Sequence, residues 1–406
     1  RPVTQNRLGT QLSTKFLDIQ GFSHKDGSVF DDFHQTNPDK PTMATECCSC
    51  MSQRGEDADL TPDSKDAANA TRPGLFYNNL IQECTASQIN ISDTREYVAG
   101  TFVWSGFDYL GEAQGWPQIV KCRGTVADAA GFEKETAFWL RSWWLARIPA
   151  SDAGRPAFAD ETVVHIVEKW IPPLNGTNRT INVYSSADRI ELYLNNNLIG
   201  AAPMPFFGKV TFSVPYQAGN LTAVAIDNNG AALASTSKVS ASKATSIRLS
   251  LDAPSETTGT GSFLVLDGQD TAMVRAEILD ANGNIVPDAA NNVTFTISSG
   301  PGRVVATHNG DPASLTPMHS ATREAYHGLS RAFVRVTAVG IGSAIEREML
   351  SSMDVDGGHL TQIMTGDNPT AEDIVVTATS PGLASAQLTI PTTLDTSHLP
   401  LNFVRA

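Results

Sequence analysis

No stretch of this chain approaches the roughly 20 consecutive apolar residues that carry a helix across a bilayer, so the sequence offers no helical membrane span. Positive charge is also short: 29 Lys and Arg face 43 Asp and Glu, for a formal net charge of −14. Nucleic acid and anionic membrane surfaces both draw on basic patches, and the balance disfavours either as a partner. Cysteine is scarce and odd in number, with three of the five bunched at Cys47, Cys48 and Cys50. That does not form an even disulfide framework. No His/Cys pair at ligand spacing completes a four-ligand site. No metal and no cofactor is expected, and burial as small, polarisable side chains is the default for the cluster. One disulfide, between Cys84 and Cys122, stays open. The N-terminus lacks an initiating Met and an apolar signal core, and reads as a chain already cut or as part of a longer polypeptide.

What is present is ordinary globular composition, 41% hydrophobic and 18% charged, over 406 residues, enough for two to four domains. Six Asn-x-Ser/Thr sequons, at Asn69, Asn90, Asn175, Asn178, Asn220 and Asn292, are surface acceptors if the chain is secreted or periplasmic, and chance in an Asn/Thr-rich chain otherwise.

Residues 1–150 alternate strand and helix. Phe16 to Phe22 reads as a buried strand, Asp31-Asp32-Phe33-His34 as a short helix ending before Asn37-Pro38, and Met43 to Glu46 as the next strand. Leu75-Phe76, Leu80-Ile81 and Cys84 recur at helical spacing, Gly100 to Phe107 is a strongly apolar strand, and Lys134 to Leu145 is an aromatic-rich helix with Trp139, Trp143 and Trp144 in the core. This order predicts an α/β segment with parallel pairing. Three strands in about 150 residues cannot close an eight-stranded barrel, which takes roughly 250.

From about 151 the pattern turns all-β. Strands are expected at Thr162–Val167, Ile181–Tyr184, Ile190–Leu194, Val210–Val214 and Leu221–Ile226, with a hairpin turn at Asn195-Asn196-Asn197, where Asn tolerates positive φ. These make a β-sandwich over 151–240. A Ser/Ala/Lys-rich linker, Ser235 to Thr245, leads to strands of period two over 246–395, the pattern of an immunoglobulin-like sandwich with an insertion near 340–372.

Three segments in this order resemble glycoside hydrolase family 2, its β-galactosidase branch in particular. The run from Asp31-Asp32-Phe33-His34 through Asn37-Pro38-Asp39-Lys40-Pro41 to Thr45-Glu46 and Arg54-Gly55 is similar to the family's strand-seven segment. Thr101 to Glu112, with Trp116-Pro117 and Gly131-Phe132-Glu133-Lys134, is similar to its strand-eight motif. Glu168-Lys169-Trp170, Val183 to Asp188 and Ile190 to Asn195 resemble the sandwich after the barrel. Leu266 to Asp270, Asn309-Gly310-Asp311-Pro312 and Tyr326 to Ala332 resemble a further C-terminal module. The resemblance implies the C-terminal part of a (β/α)8 TIM barrel followed by two immunoglobulin-like β-sandwich domains. It also implies a retaining hydrolase acting on terminal β-galactosides, with β-glucuronidase and β-mannosidase chemistry open within the family.

On that resemblance Glu46 is the nucleophile, and Trp104 offers its face to the sugar across a peptide that the family often holds cis. Asp108 and Glu112 either bind sugar hydroxyls or pair with Arg54 or Arg123 as scaffold, and Trp116 walls an outer subsite. The corner Phe22-Ser23-His24 falls where the family often carries an aromatic hydroxyl near the nucleophile, and His24 is a candidate substitute or a surface residue. A retaining glycosidase needs a second carboxyl group about 5–5.5 Å from the first. The family's acid/base glutamate follows an Asn, and no Asn-Glu dipeptide occurs here. The expected partners are therefore a carbohydrate substrate and an N-terminal segment or chain that completes the barrel, with a homo-oligomer also open. The competing reading is a non-catalytic carbohydrate-binding or structural protein that keeps the barrel fragment.

Overall fold

A computed structural model of the chain describes residues 16–47, 50–57, 78–145, 161–173, 176–255, 261–337 and 372–393. The chain divides into two compact units. The first is Arg1–Ser240 with Gly310–Leu315, and the second is Ala241–Asn309 with Thr316–Ala406.

The first unit opens with β1 (Gln20–Ser23), α1 (Gly27–Thr36), β2 (Thr42–Cys47), α2 (Asn78–Asp93) and β3 (Val98–Val103). The three strands pair in parallel, in the order β1-β2-β3. Phe22, Phe30, Ala44, Ile89, Val98, Trp139 and Leu140 form their core. Helix α1 starts earlier than its sequence pattern suggested and stops at Asn37, whose amide returns to the Phe33 carbonyl at 2.9 Å; Pro38 disfavours a helical conformation at the residue before it. Its Phe30 is fully buried, edge-on to Phe22 with ring centroids 5.0 Å apart.

The strand expected from Phe16 is shorter than its apolar run. Phe16 is 87% exposed, and the ladder begins only at Gln20, whose N–H donates to the Pro41 carbonyl. Pro41 has no N–H to return, so pairing ends there. A hairpin follows β3, β4 (Tyr109–Gly115) with β5 (Gln118–Lys121), then α3 (Glu135–Leu145). Trp139 and Trp143 are buried as expected, but Trp144 is not: it is 47% exposed, one residue off the buried face. Leu75 and Phe76 lie outside the described residues.

The rest of the first unit is antiparallel: β6 (Val164–Ile166), β7 (Asn178–Ser185), β8 (Arg189–Leu194), β9 (Asn197–Pro203), β10 (Val210–Pro215), β11 (Asn220–Ile226) and β12 (Ala232–Val239). Two sheets, β10-β7-β6 and β12-β11-β8-β9, enclose Ile166, Trp170, Ile181, Val183, Leu192, Leu221 and Ala223. Asn195 and Asn196 turn the β8–β9 hairpin at φ 51° and 67°, the left-handed pair that a two-residue hairpin loop demands. Ser235 to Val239, expected as linker, is the second half of β12, paired with β11 throughout. Its small polar residues form an exposed edge rather than a tether, because the backbone ladder and not the side chains holds it.

The second unit is built of β13 (Ala244–Ala253), β14 (Leu264–Val265), β15 (Thr271–Asp280), β16 (Asn292–Ser299), β17 (Gly302–His308), β18 (Thr322–Glu324), β19 (Leu329–Val336), β20 (Ile374–Thr379), β21 (Ala386–Ile390) and β22 (Thr392–Thr393). Its two four-stranded sheets, β13-β15-β19-β17 and β18-β16-β20-β21, bury Val274, Ile278, Phe295, Val334 and Val376 between them. Alternation of inward apolar and outward polar residues produces this sandwich. The insertion expected near 340–372 lies, except for its last residue, outside the described residues.

Candidate active site

In a parallel sheet all C-terminal strand ends lie on one side, and here they carry Ser23, Glu46 and Val103 with Trp104 just beyond it. The register between β1 and β2 slips once: Phe22 sits opposite Ala44, but Ser23 sits opposite Glu46, so Thr45 has no opposite number. A bulge of this kind re-aims the side chain that follows it. It brings the Ser23 hydroxyl within 2.9 Å of Glu46 Oε2, to which it donates. His24, in the left-handed region at φ 50°, gives its backbone N–H to the Glu46 carbonyl at 2.7 Å. Its Nε2 stands 3.5 Å from the same Oε2. The side chain of Glu46 remains 39% exposed, so its carboxylate is reachable from solvent.

Trp104 extends the β2–β3 ladder by one bond, its N–H donating to the Cys47 carbonyl at 3.0 Å. The Trp104–Ser105 peptide is cis. The indole is 40% exposed and meets the Tyr109 ring edge-on at 6.2 Å, and its Nε1 donates to the Tyr109 hydroxyl at 3.2 Å. That hydroxyl in turn reaches Glu112 Oε2 at 3.5 Å, with Lys121 Nζ 3.9 Å from the same oxygen. Glu112 is thus exposed and held by Tyr109 and Lys121; Arg54 and Arg123 do not take part in these contacts. Trp116 stands 73% exposed at the tip of the β4–β5 hairpin, before a cis proline.

Asp108 faces the other way. Its side chain is 3% exposed, and Oδ1 accepts from Lys134 Nζ at 2.6 Å and from the Gly124 amide at 2.8 Å. Burial pushes its carboxyl up to about 6 against the pull of Lys134. It cannot meet a sugar hydroxyl from there, so of its two expected roles it fills the scaffold one, with Lys134 in place of the anticipated arginines. Lys134 is fully buried and spends its other two protons on the carbonyls of Ser52 and Gly124, both at 2.8 Å. It therefore ties the loop after Glu46 to the loop after Trp104. Arg54 makes a second tie: Nε donates to Asp128 Oδ2 at 2.7 Å, and the guanidinium lies over the Phe132 ring.

The sequence had left Ser23, Tyr109 and Lys134 without roles, although Tyr109 and Lys134 lie inside the motifs that carried the resemblance and Ser23 lies in the corner beside His24. Cys47 and Cys50 are disulfide-bonded, against the expectation of plain packing, and Cys122 is a free buried thiol, so no Cys84–Cys122 bond forms. Among the described residues no group of three or more His, Cys, Asp and Glu side chains could hold a metal ion.

Known proteins resemble this chain in sequence and in fold. Residues 258–346 match glycoside hydrolase family 2 C-terminal domain 5, and residues 176–234 match a domain of unknown function, DUF4982. Beta-galactosidase BoGH2A of Bacteroides ovatus is 28% identical over 351 residues, covering 81% of this chain and 38% of that protein. A putative beta-glucuronidase of Formosa agariphila is 30% identical over 249 residues, covering 58% of this chain and 22% of that protein. The crystal structure of a beta-glycosidase from Bacteroides vulgatus superposes with a TM-score of 0.68 at 20% identity, over 92% of this chain and 45% of that one. Residues 258–346 thus match a C-terminal domain of glycoside hydrolase family 2, and the chain, similar to glycosidases along most of its length, spans well under half the length of the curated relatives it matches.

Proposed function

We propose that this chain supplies the nucleophile half of a retaining glycosidase that cleaves terminal β-galactosides. The observation that carries the reading is Glu46 at the C-terminal end of the middle parallel strand, half-exposed and held by the Ser23 hydroxyl. On this reading β1, β2 and β3 are the last three strands of a (β/α)8 barrel, whose catalytic groups sit at that end. Glu46 attacks the anomeric carbon and the glycosidic C–O bond breaks, its electron pair leaving on the aglycone oxygen. That oxygen takes a proton from an acid/base carboxylic acid, which belongs to a segment or chain that completes the barrel. Water then attacks the anomeric carbon, returns the proton to that group and frees Glu46. Trp104, oriented by Tyr109, offers its face to the sugar ring, Trp116 walls an outer subsite, and Glu112 is within reach of a hydroxyl.

The breadth of the match to a protein named as a beta-galactosidase supports the substrate class. The Formosa relative favours a β-glucuronide as the second reading. The disulfide-bonded Cys47 and Cys50 support a secreted or periplasmic location, where such bonds persist. Four sequon asparagines, Asn90, Asn178, Asn220 and Asn292, are exposed, as glycan acceptors would need to be.

The test is chemical trapping. A 2-deoxy-2-fluorogalactoside with an activated leaving group needs no proton donor for the first step, so the full-length protein should accumulate a glycosyl ester on the peptide carrying Thr45-Glu46. Label on another residue, or full turnover by Glu46→Gln, would sink the reading.

A further inference from the structure

We propose that Ser23 is a positioning residue for the nucleophile: its hydroxyl pins Oε2 of Glu46 and leaves Oε1 as the oxygen that attacks. The inference rests on the nucleophile reading and adds which atom reacts and what aims it. The two carboxylate oxygens are not equivalent. Oε2 accepts from Ser23 Oγ at 2.9 Å and has His24 Nε2 at 3.5 Å, whereas among the described residues Oε1 accepts no hydrogen bond.

The pin is built into the backbone. Ser23 is buried, at 8% exposure, on a paired strand, and the bulge at Thr45 sets it level with Glu46. The bulge is itself packed: a Cβ added at Gly21 would fall 2.5 Å from Thr45 Cγ2, so glycine leaves the room that the skipped threonine fills. The backbone bond from His24 N–H to the Glu46 carbonyl holds the other side of the corner.

A glutamate has three rotatable side-chain bonds, and one fixed oxygen removes most of that freedom before the sugar arrives. Attack then proceeds from a near-attack geometry rather than from a search. In the step itself a bond forms between Oε1 and the anomeric carbon, and the bond to the leaving group breaks with its electron pair. Nothing needs to be protonated when that group is an activated phenolate. Ser23 keeps its proton throughout and touches only Glu46.

The experiment follows labelling of the full-length protein by the same fluorogalactoside with a dinitrophenolate leaving group. It reads the first-order rate constant at saturation, the concentration for half saturation, and the final stoichiometry at Glu46. Ser23→Ala should label at Glu46 to full stoichiometry with the half-saturation concentration unchanged, but about 10- to 100-fold more slowly, the range expected for losing a hydrogen bond to a charged group. Ser23→Thr, which retains the hydroxyl, should label close to the wild-type rate. Partial unfolding lowers stoichiometry and not the rate constant of the molecules that label, so a merely structural role is told apart. A wild-type rate for Ser23→Ala overturns the positioning role, as does a Ser23→Thr protein as slow as Ser23→Ala. Label away from Glu46 in the wild-type protein overturns the nucleophile reading instead, whatever Ser23 does.

Discussion

Lys134→Met is the sharpest test of how the candidate site is held together. The substitution keeps the length and apolar body of the side chain and removes its charge. Asp108 then keeps its Gly124 amide bond at 2.8 Å but loses the ammonium at 2.6 Å, while the Ser52 and Gly124 carbonyls lose their donor. Breaking a buried pair by removing one partner typically costs about 3–5 kcal/mol, because the remaining charge stays desolvated. For a unit of this size that lowers the melting temperature by about 10 °C.

The cost has a definite pH dependence. The folded-state pKa of Asp108 already lies at about 6, above the unfolded value, with burial the larger cause and Lys134 opposing it. Removing Lys134 raises it further. The folded state then holds a proton that the unfolded chain has released, so the penalty is full above the folded pKa and fades as pH falls toward the unfolded pKa of about 3.9. Lys134→Met should therefore be less damaging at pH 5 than at pH 8. Asp108→Asn keeps an acceptor for the Gly124 amide without the charge, so the double variant should recover at least about 1 kcal/mol relative to additivity. Denaturant unfolding of the full-length protein followed by tryptophan fluorescence measures all three. A loss under about 1 kcal/mol at pH 8, or a loss equal at both pH values, would refute the clamp.

Three further outcomes follow from the same geometry. Tyr109→Phe removes the acceptor for Trp104 Nε1 and should raise KM for an aryl galactoside about 2- to 10-fold with Glu46 labelling intact, read by steady-state kinetics. Gly124→Ala should destabilise by about 1–3 kcal/mol in a melt. Its Cβ would fall 2.2 Å from the Asp108 nitrogen and 2.4 Å from the Ala127 carbonyl, both backbone atoms that no rotamer change can move aside. Cys122 is fully buried and burial pushes its thiol up to about 12, so iodoacetamide at pH 8 should modify it only after denaturation, as peptide mass mapping would show.

Much of the layout was legible before any coordinates. The period-two runs Ser246–Leu251, Ala272–Ile278, Val293–Ile297, Arg331–Val336, Ile374–Ala378 and Ala386–Ile390 all fall within strands of the second unit, because a sandwich strand must alternate its faces wherever it sits, whereas β17 and β18 carried no such run. The double asparagine at Asn195-Asn196 announced its hairpin, since few residues accept left-handed φ. Thr45-Glu46 stood out as a strand end in a recognisable segment. What misled were cues whose meaning depends on partners distant in the chain. Phe16, Leu17 and Ile19 made an apolar run around Asp18 but had no ladder to join. Ser235 to Val239 looked like linker and was an edge strand. Asp108 lies in a motif beside Trp104, yet faces Lys134, 26 residues on.

By itself the sequence determined the classes of element, their order, the acidic surface and the carboxylate placed where a parallel sheet presents its strand ends, for these follow from local sterics and from the period of apolar residues. The tertiary structure alone decided which carboxylate is scaffold and which is open. That depends on desolvation and on cations brought close by folding. It also decided that a one-residue slip at Thr45 sets Ser23 against Glu46, because register belongs to two strands at once and neither strand's sequence contains it.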